Sequence, residues 1–371
     1  MPSTRAGAVT IASLGIVTAV ALSLIAGPKA SERPLAGGLA LDAPLPEQPA
    51  PGVTLAIGDP ITRAVLEHTG WIRELPFKVT WAKITGGPAV TEAFHARALD
   101  VGAAADIPPL HATWIGMPVK IIAVRQRLDP YDHPLYVLGL APHAGVRTLA
   151  DLKGKKIAFS PGQVQGEVVL RTLAAAGLTR NDVTLVELPS TGGDLYVNAL
   201  AAGVVDVAPI AAGSQAQRYV AKFGGAGAAV LPHPRFRDDL TELYVRRETL
   251  QDPGKAAALR AYVAHWARAA EWERAHPAEF AQLYYEQDQG LSADEARAVV
   301  AASGEPDIPA DWSAAIRQEQ AAADIVGRET HRPTLDAAAL FDRRFEPIAA
   351  QAATAEWARQ AAPAAPRLAA R

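Results

Sequence analysis

Between residues 53 and 245 the apolar positions follow a recurring pattern. A short β-branched run comes first, then a turn of Gly, Pro or Asp, then apolar residues at helical spacing. "GVTLAIGDP" predicts a strand that ends at Gly58-Asp59-Pro60, and "ITRAVLEHTGWI" a helix with Ile61, Val65 and Leu66 on one face. "FKVTWAKI" predicts a second strand, Thr85-Gly86-Gly87-Pro88 a turn, "AVTEAFHARA" a helix, and "DVGAAA" a strand closed by Asp106-Ile107-Pro108-Pro109. "PVKIIAVRQ" is a further strand. The second half repeats the plan with "KKIAFS", "QVQGEVVLRTLAAAGL" stopped at Gly177, "VTLVELP", the turn Thr191-Gly192-Gly193, "DLYVNALAAG" and "VDVAPI". Each half therefore reads βαβαβ, which implies parallel sheets.

One phrase is written twice. Thr85-Gly86-Gly87 precedes Asp100, and Thr191-Gly192-Gly193 precedes Asp206, each Asp 13 positions after the second glycine. Gly pairs and an Asp before a strand are common singly. Their agreement in spacing and surroundings points to a structural duplication. Asp100 and Asp206 are expected at helix-to-strand turns. From residue 252 the texture changes to Ala-rich helices with charged outer faces, in which Tyr262, Trp266 and Trp272 are expected in a core or at an interface.

The termini differ from this middle. Arg5 is followed by Ala6 to Gly27 without a charge, the layout of an export signal and nearly long enough to span a bilayer. Residues 1–30 are expected to be a signal peptide or N-terminal anchor, residues 31–51 a linker, and residues 351–371 a tail.

Composition narrows the chemistry. The 371 residues carry a net charge of −3, which leaves no basic field for nucleic acid. The absence of cysteine removes disulfides, thiolate metal sites and a Cys nucleophile. His68, His95, His111, His133, His143 and His233 are scattered, and no catalytic elbow or phosphate loop occurs. The expectation is a protein that is not an enzyme and holds no metal or cofactor. What the chain does offer is a strand-to-helix turn used repeatedly. The first N–H groups of a helix lack partners within it and carry partial positive charge, so an anion can sit there without Lys or Arg. Glycine lets a ligand approach that backbone; it also serves tight turns that bind nothing. Ser160-Pro161-Gly162-Gln163 is a third turn of this kind.

"GGPAVTEAFHARALDVGAAADIPPLHA", "LADLKGKKIAFSPGQVQGEVVLRTLAAAGL" and "VNALAAGVVDVAPI" resemble the nitrate/sulfonate/taurine-type (aliphatic-sulfonate-binding) solute-binding proteins of ABC importers, over about residues 53–245. Ala105-Asp106-Ile107-Pro108-Pro109 is the stretch most like the sulfonate branch. The resemblance implies an α/β periplasmic binding protein fold of type II. Two βαβ-type lobes, 52–138 plus 243–350 and 139–242, would be joined by crossover segments at "HPLYVLGL" and "LTELYVRR", with a helical C-terminal extension. It implies a site at Gly58, Asp59, Thr85, Gly86, Gly87, Asp106, Ile107, Gln163, Val164, Gln165, Thr191, Gly192 and Asp206. Thr85 and Thr191 would donate hydroxyls, Gln163 and Gln165 amides. Asp106 would hold a ligand amine or cap the segment entering Pro108.

The chain departs from that family where Gly162-Gln163-Val164-Gln165-Gly166 replaces the usual serines or threonines, and where Asp59 adds negative charge. A zwitterion, an amide-bearing solute or a heterocycle is then as open as a small oxyanion. The function implied is the extracytoplasmic solute-binding subunit of an ABC importer, a periplasmic monomer or one anchored by residues 6–27, whose partners are a small solute and a membrane permease. The alternatives are a thiamine-pyrimidine-type binder or enzyme of the same fold, and a membrane-tethered ligand sensor.

Overall fold

The computed structural model describes residues 38–84, 86–189, 194–232 and 234–361. The expected signal or anchor, Thr85, Thr191, Gly192, Gly193, His233 and the last ten residues of the tail lie outside the described residues.

The first half forms β1 (Thr54–Gly58), α1 (Pro60–Thr69), β2 (Lys78–Trp81), α2 (Gly87–His95) and β3 (Val101–Ala105). Asp106-Ile107-Pro108-Pro109, expected to close a strand, with a cap as one role for Asp106, also opens a helix: α3 (Ile107–Trp114) with Asp106 as its cap. Prolines in a first helical turn forfeit no intrahelical bond, and Asp106 Oδ1 accepts the Ile107 N–H at 2.9 Å. β4 (Val119–Arg127) follows. The second half forms β5 (Tyr136–Leu140), β6 (Lys156–Phe159), α4 (Val164–Ala175), β7 (Thr184–Glu187), α5 (Leu195–Ala201), β8 (Val207–Ala211), α6 (Ser214–Phe223) and β9 (Ala229–Leu231). The chain then runs through β10 (Thr241–Arg246), α7 (Arg247–Gln251), α8 (Pro253–Ala275), α9 (Pro277–Phe280), α10 (Ala293–Ser303), β11 (Pro306–Asp307), α11 (Ser313–Glu329) and α12 (Glu346–Ala361).

Two sheets result, in the orders β11-β4-β10-β3-β1-β2 and β7-β6-β8-β5-β9. Each is the centre of one lobe. The expectation of parallel sheets holds only within each repeat: β1 pairs with β2 and β3, and β6 with β7 and β8, in parallel. β10 is inserted antiparallel between β3 and β4, and β5 antiparallel between β8 and β9. Both inserted strands have just crossed from the other lobe, so they enter their sheets from the opposite end.

The duplicated phrase has one structural meaning in both halves. Asp100 N–H donates to Ala56 O at 2.8 Å while Asp100 Oδ2 accepts Ala56 N–H at 3.0 Å. Asp206 N–H donates to Lys156 O at 2.8 Å while its Oδ2 accepts Lys156 N–H at 2.7 Å. The turns before them also agree: Ala98 N–H to Ala93 O and Val204 N–H to Ala199 O are both 2.9 Å. Each Asp closes a ring between adjacent parallel strands at their N-terminal ends. Behind these rings sit the buried side chains of Leu55, Ile57, Phe94, Leu99 and Val101 in one lobe, and of Ile157, Phe159, Leu200, Val205 and Val207 in the other.

The chain crosses between lobes after β4 and returns between β9 and β10, so the strands at "HPLYVLGL" and "LTELYVRR" lie within sheets and the crossings lie beside them. Buried aspartates fasten the crossings together. Asp238 accepts the N–H groups of Leu135 at 2.9 Å and Tyr136 at 3.0 Å, and Asp239 accepts that of Arg127 at 2.8 Å.

The C-terminal helices wrap back as the Ala-rich pattern suggests. α8 starts at an Asp252 cap with Pro253 in its first turn and packs between α1 and α12. α11 touches both α3 and α4, and α10 touches α6, so these helices bridge the lobes. Two expectations for the ends need correction. Residues 38–51 are pinned rather than free: Leu39 N–H donates to Gln251 O at 2.7 Å, Arg344 Nη1 donates to Ala43 O at 2.6 Å, and Leu41 and Leu45 pack on the core. The tail is helical as far as Ala361. Among the described residues no helix is long and apolar enough to cross a membrane.

Asp238→Ala removes the acceptor of two crossing N–H groups and is expected to cost about 2–3 kcal/mol in urea unfolding, with Asp238→Asn costing less because one acceptor oxygen remains.

Candidate functional site

Between the lobes lies a cavity of about 550 Å³. Its walls are the C-terminal ends of the parallel strands and the helix starts that follow them, the edge where ligands settle in open α/β sheets. Lobe 1 contributes Asp59 to Thr62 from the start of α1, Gly86 and Gly87 from the start of α2, and Ala103 to Ala105 at the end of β3. Lobe 2 contributes Gln163, Val164 and Gln165 at the start of α4, Leu195 and Tyr196 at the start of α5, and Pro209 and Ala211 of β8.

Three of these helix starts, those of α2, α4 and the short α5, carry no cap bond from the residue that precedes them. Gly86 precedes α2 and Gln163 precedes α4, and neither residue's side chain caps the helix that follows. Gly86 has φ +86°, which explains the glycine. Gly87 is required by a close approach: a Cβ there would lie 2.4 Å from Pro108 Cγ. Gly166 has the same role in α4, where a Cβ would lie 2.2 Å from Ser160 O. The glycines therefore press each helix start against its own lobe, with Gly86 and Gly87 of one and Val164 and Gln165 of the other at the cavity wall. Ser160 Oγ donates to Gln163 Oε1 at 2.8 Å, which orients that amide. Gln215 Oε1 accepts Ala211 N–H at 2.7 Å and so is fixed beside β8.

Charge in the cavity comes from lobe 1. Asp59 is buried, its Oδ1 accepting Thr62 N–H at 3.2 Å and its Oδ2 the Tyr262 hydroxyl at 2.9 Å. Burial pushes its carboxyl above the ordinary range, opposed by those hydrogen bonds and by Arg125. The negative charge expected of Asp59 is thus partly suppressed and wholly engaged. Arg125, on β4, reaches the cavity and meets Glu273 at 2.8 Å. Burial works against its charge, but Glu273 and Asp59 hold it firmly protonated. Trp266 of α8, with Tyr136, Tyr196, Leu195 and Ile84, supplies a broad apolar lining. Among the described residues the lining contains no His, Lys, Ser or Cys.

Of the residues expected at the site, Asp59, Gly86, Gly87, Gln163, Val164 and Gln165 meet at this cavity. Four do not line it. Gly58 is the last residue of β1, set against Leu99. Asp106 caps α3 and turns away from the cavity, and Ile107 is fully buried beneath that helix. Asp206 lies at the N-terminal end of β8, the opposite end from the cavity, where Lys156 N–H occupies its carboxylate. Thr85, Thr191 and Gly192 lie outside the described residues. Sequence reasoning missed Arg125, Tyr136, Tyr196, Gln215 and Trp266. Arg125 had a signal, as the cation directly following the apolar run "IIAV". Trp266 had none, because a helix far along the chain brings it there.

The chain matches the NMT1/THI5-like family over residues 65–280, more than half its length. It belongs to the NMT1/THI5-like family. An aliphatic sulfonates-binding protein of Escherichia coli (strain K12) is 33% identical over 106 residues, which cover 29% of this chain and 32% of that one. The chain thus matches about a third of the length of this curated relative. Among solved structures, the alkanesulfonate-binding protein SsuA from Xanthomonas axonopodis pv. citri bound to MOPS has a TM-score of 0.65 at 23% identity, covering 81% of this chain and 99% of that one. The periplasmic aliphatic sulphonate binding protein SsuA from Escherichia coli gives 0.65 at 22% identity, covering 80% and 99%. DszB, a desulfurization enzyme, in complex with biphenyl-2-sulfinic acid gives 0.54 at 15%, covering 80% and 99%. The family member described here has the two-lobe periplasmic-binding-protein fold, with helices at its C-terminus.

Gly166→Ala is expected to destabilise the protein by about 1–3 kcal/mol in thermal unfolding, since the new methyl meets a backbone carbonyl that cannot rotate away. Gly162→Ala, whose Cβ would meet only the His111 ring at 3.2 Å, is expected to be milder.

Proposed function

We propose that this protein is the extracytoplasmic solute-binding subunit of an ABC importer and that it takes a sulfonate-bearing solute in the inter-lobe cavity. The observation that carries the reading is the pair of uncapped helix starts, α2 from one lobe and α4 from the other, at a single cavity. Together they offer backbone N–H dipoles to an anionic head, beside the one cation of the described lining, Arg125, which is already engaged by Glu273. The aliphatic sulfonates-binding relative and the SsuA neighbours support the same solute class. Gln163 and Gln165 would donate to sulfonate oxygens, and Thr85, Thr191 and Gly192 belong to the same proposed set.

Arg125 and the engaged carboxyl of Asp59 lie on the lobe 1 wall, so a zwitterion is accommodated as well as a simple sulfonate. The cavity of about 550 Å³ and its Trp266, Tyr136 and Tyr196 lining favour a solute with a substantial apolar or cyclic body over nitrate or taurine. A lining without His, Lys, Ser or Cys among the described residues favours capture over catalysis. In this reading residues 1–30 direct export or anchor the chain, the protein acts as a monomer, and its other partner is a membrane permease.

A thermal-shift series with nitrate, taurine, straight-chain alkanesulfonates and cyclic sulfonates checks this. The bulkier sulfonates are expected to stabilise the protein by about 3–4 kcal/mol at concentrations 100- to 1,000-fold above Kd, and nitrate not at all. Gln163→Ala and Trp266→Ala are each expected to weaken that binding about tenfold, or about 1.4 kcal/mol. Failure of every sulfonate to shift the melting point, or turnover of any of them, overturns the reading.

A further inference from the structure

Four carboxyl groups converge where the two lobes meet the C-terminal helices: Asp106 at the start of α3, Glu242 on β10, Glu167 on α4 and Glu319 on α11. None is more than 1% exposed. Among the described residues, no hydrogen-bond donor meets either carboxylate oxygen of Glu242 or Glu319, or Oδ2 of Asp106. Asp106 and Glu242 belong to lobe 1, Glu167 to lobe 2, and Glu319 to a helix that touches α3 and α4 together.

The charges around them do not balance. Arg171, one turn along α4, meets Glu167 Oε1 at 2.7 Å. Asp238 of the lobe crossing adds a negative charge that acts on both Asp106 and Glu167. Tyr136 faces Asp106 and Asp238, and Arg127 faces Asp238. His111, also on α3, is biased toward its neutral form by burial and by Arg332. Asp106 and Glu167 are within hydrogen-bonding reach of each other across the lobes. Two carboxyls can share a hydrogen bond only while one of them keeps a proton. Glu319 and Glu242, fully buried and without donors, reach a tolerable state by the same route.

We propose that lobe closure is coupled to proton uptake: the Asp106–Glu167–Glu242–Glu319 junction is protonated when the lobes are closed, and its ionisation drives them apart. Opening carries Glu167 away from Asp106 with lobe 2 and admits water to the other carboxyls. With α3, α4 and α11 packed together, burial raises Asp106 to about 6 and lifts Glu167, Glu242 and Glu319 well above the ordinary carboxylate range. In the open form these groups return toward ordinary values of about 4. The closed form therefore binds more protons between about 4 and the raised values. Closure is fully supported below that window and loses support as pH rises through about 6 and beyond. The coupling follows from the two-lobe fold and is independent of which solute the cavity takes.

Small-angle scattering of the whole protein without added solute, from about pH 4.5 to about pH 8.5, tests it. The radius of gyration is expected to rise with pH, and the melting temperature to fall by several degrees over the same interval. Glu167→Gln and Glu319→Gln, which fix the neutral form of each group, are expected to flatten both profiles and keep the protein compact at high pH. A pH-independent wild-type radius, or a variant profile identical to wild type, overturns the proposal. Infrared spectroscopy supplies a test that requires no stable variant. The wild-type protein at about pH 5, above the ordinary carboxylate values but below the raised ones, is expected to show the carbonyl stretch of a protonated buried carboxyl that fades as the radius rises, and its absence at that pH overturns the proposal equally.

Discussion

Three backbone N–H groups donated to two buried aspartates hold this molecule in register. Asp238 takes those of Leu135 and Tyr136, and Asp239 that of Arg127. These bonds lie where the chain passes between lobes in both directions, so they set how the two sheets face each other. Each is a charge-assisted bond in a site with little water, where such bonds are short and strong. The cavity exists because the crossings turn the strand C-terminal ends of both lobes toward one another. A looser junction would leave the same helix starts on each lobe without a shared volume between them.

The duplicated unit serves this arrangement at both ends of its strands. At the N-terminal end, Asp100 and Asp206 stitch neighbouring strands with matched backbone and side-chain bonds. At the C-terminal end, glycines set the helix starts tightly against each lobe at the cavity wall. One end of the repeat thus carries stability and the other recognition, and the two can vary separately. Lobe 1 keeps Asp59 and Arg125 at its wall, whereas lobe 2 offers glutamine amides and tyrosine.

The C-terminal helices do more than cover lobe 1. α8 delivers Trp266 to the cavity and Tyr262 to Asp59, and α11 brings Glu319 against both lobes. Solute recognition and the buried acidic junction are therefore tied to the same helical wrap. Tyr136 links the two, since it lines the cavity and also feels the charge of Asp106.

The sequence by itself determined the elements and their repeat. Strands at "TLAIG" and "KIAF", helices between them, and the Asp at the end of each phrase follow from local periodicity and turn chemistry, which act over a few residues. It also determined that Gly86, Gly87, Gln163 and Gln165 stand at strand-to-helix turns, and those residues do meet at the cavity. It placed Asp206 at a helix-to-strand turn, where it lies, and only the resemblance added that residue to the site, because a turn motif does not say at which end of a sheet the cavity lies. It allowed Asp106 as a cap but did not foresee the helix that follows, because prolines suit a first helical turn as readily as a plain turn. Only the tertiary structure decided that β5 and β10 run antiparallel within their sheets, that Arg125 and Trp266 share a wall, and that Glu167, Glu242 and Glu319 lose their water together. Those are contacts between residues dozens to hundreds of positions apart. Burial and crossing geometry fix them, and neither leaves a local mark on the chain.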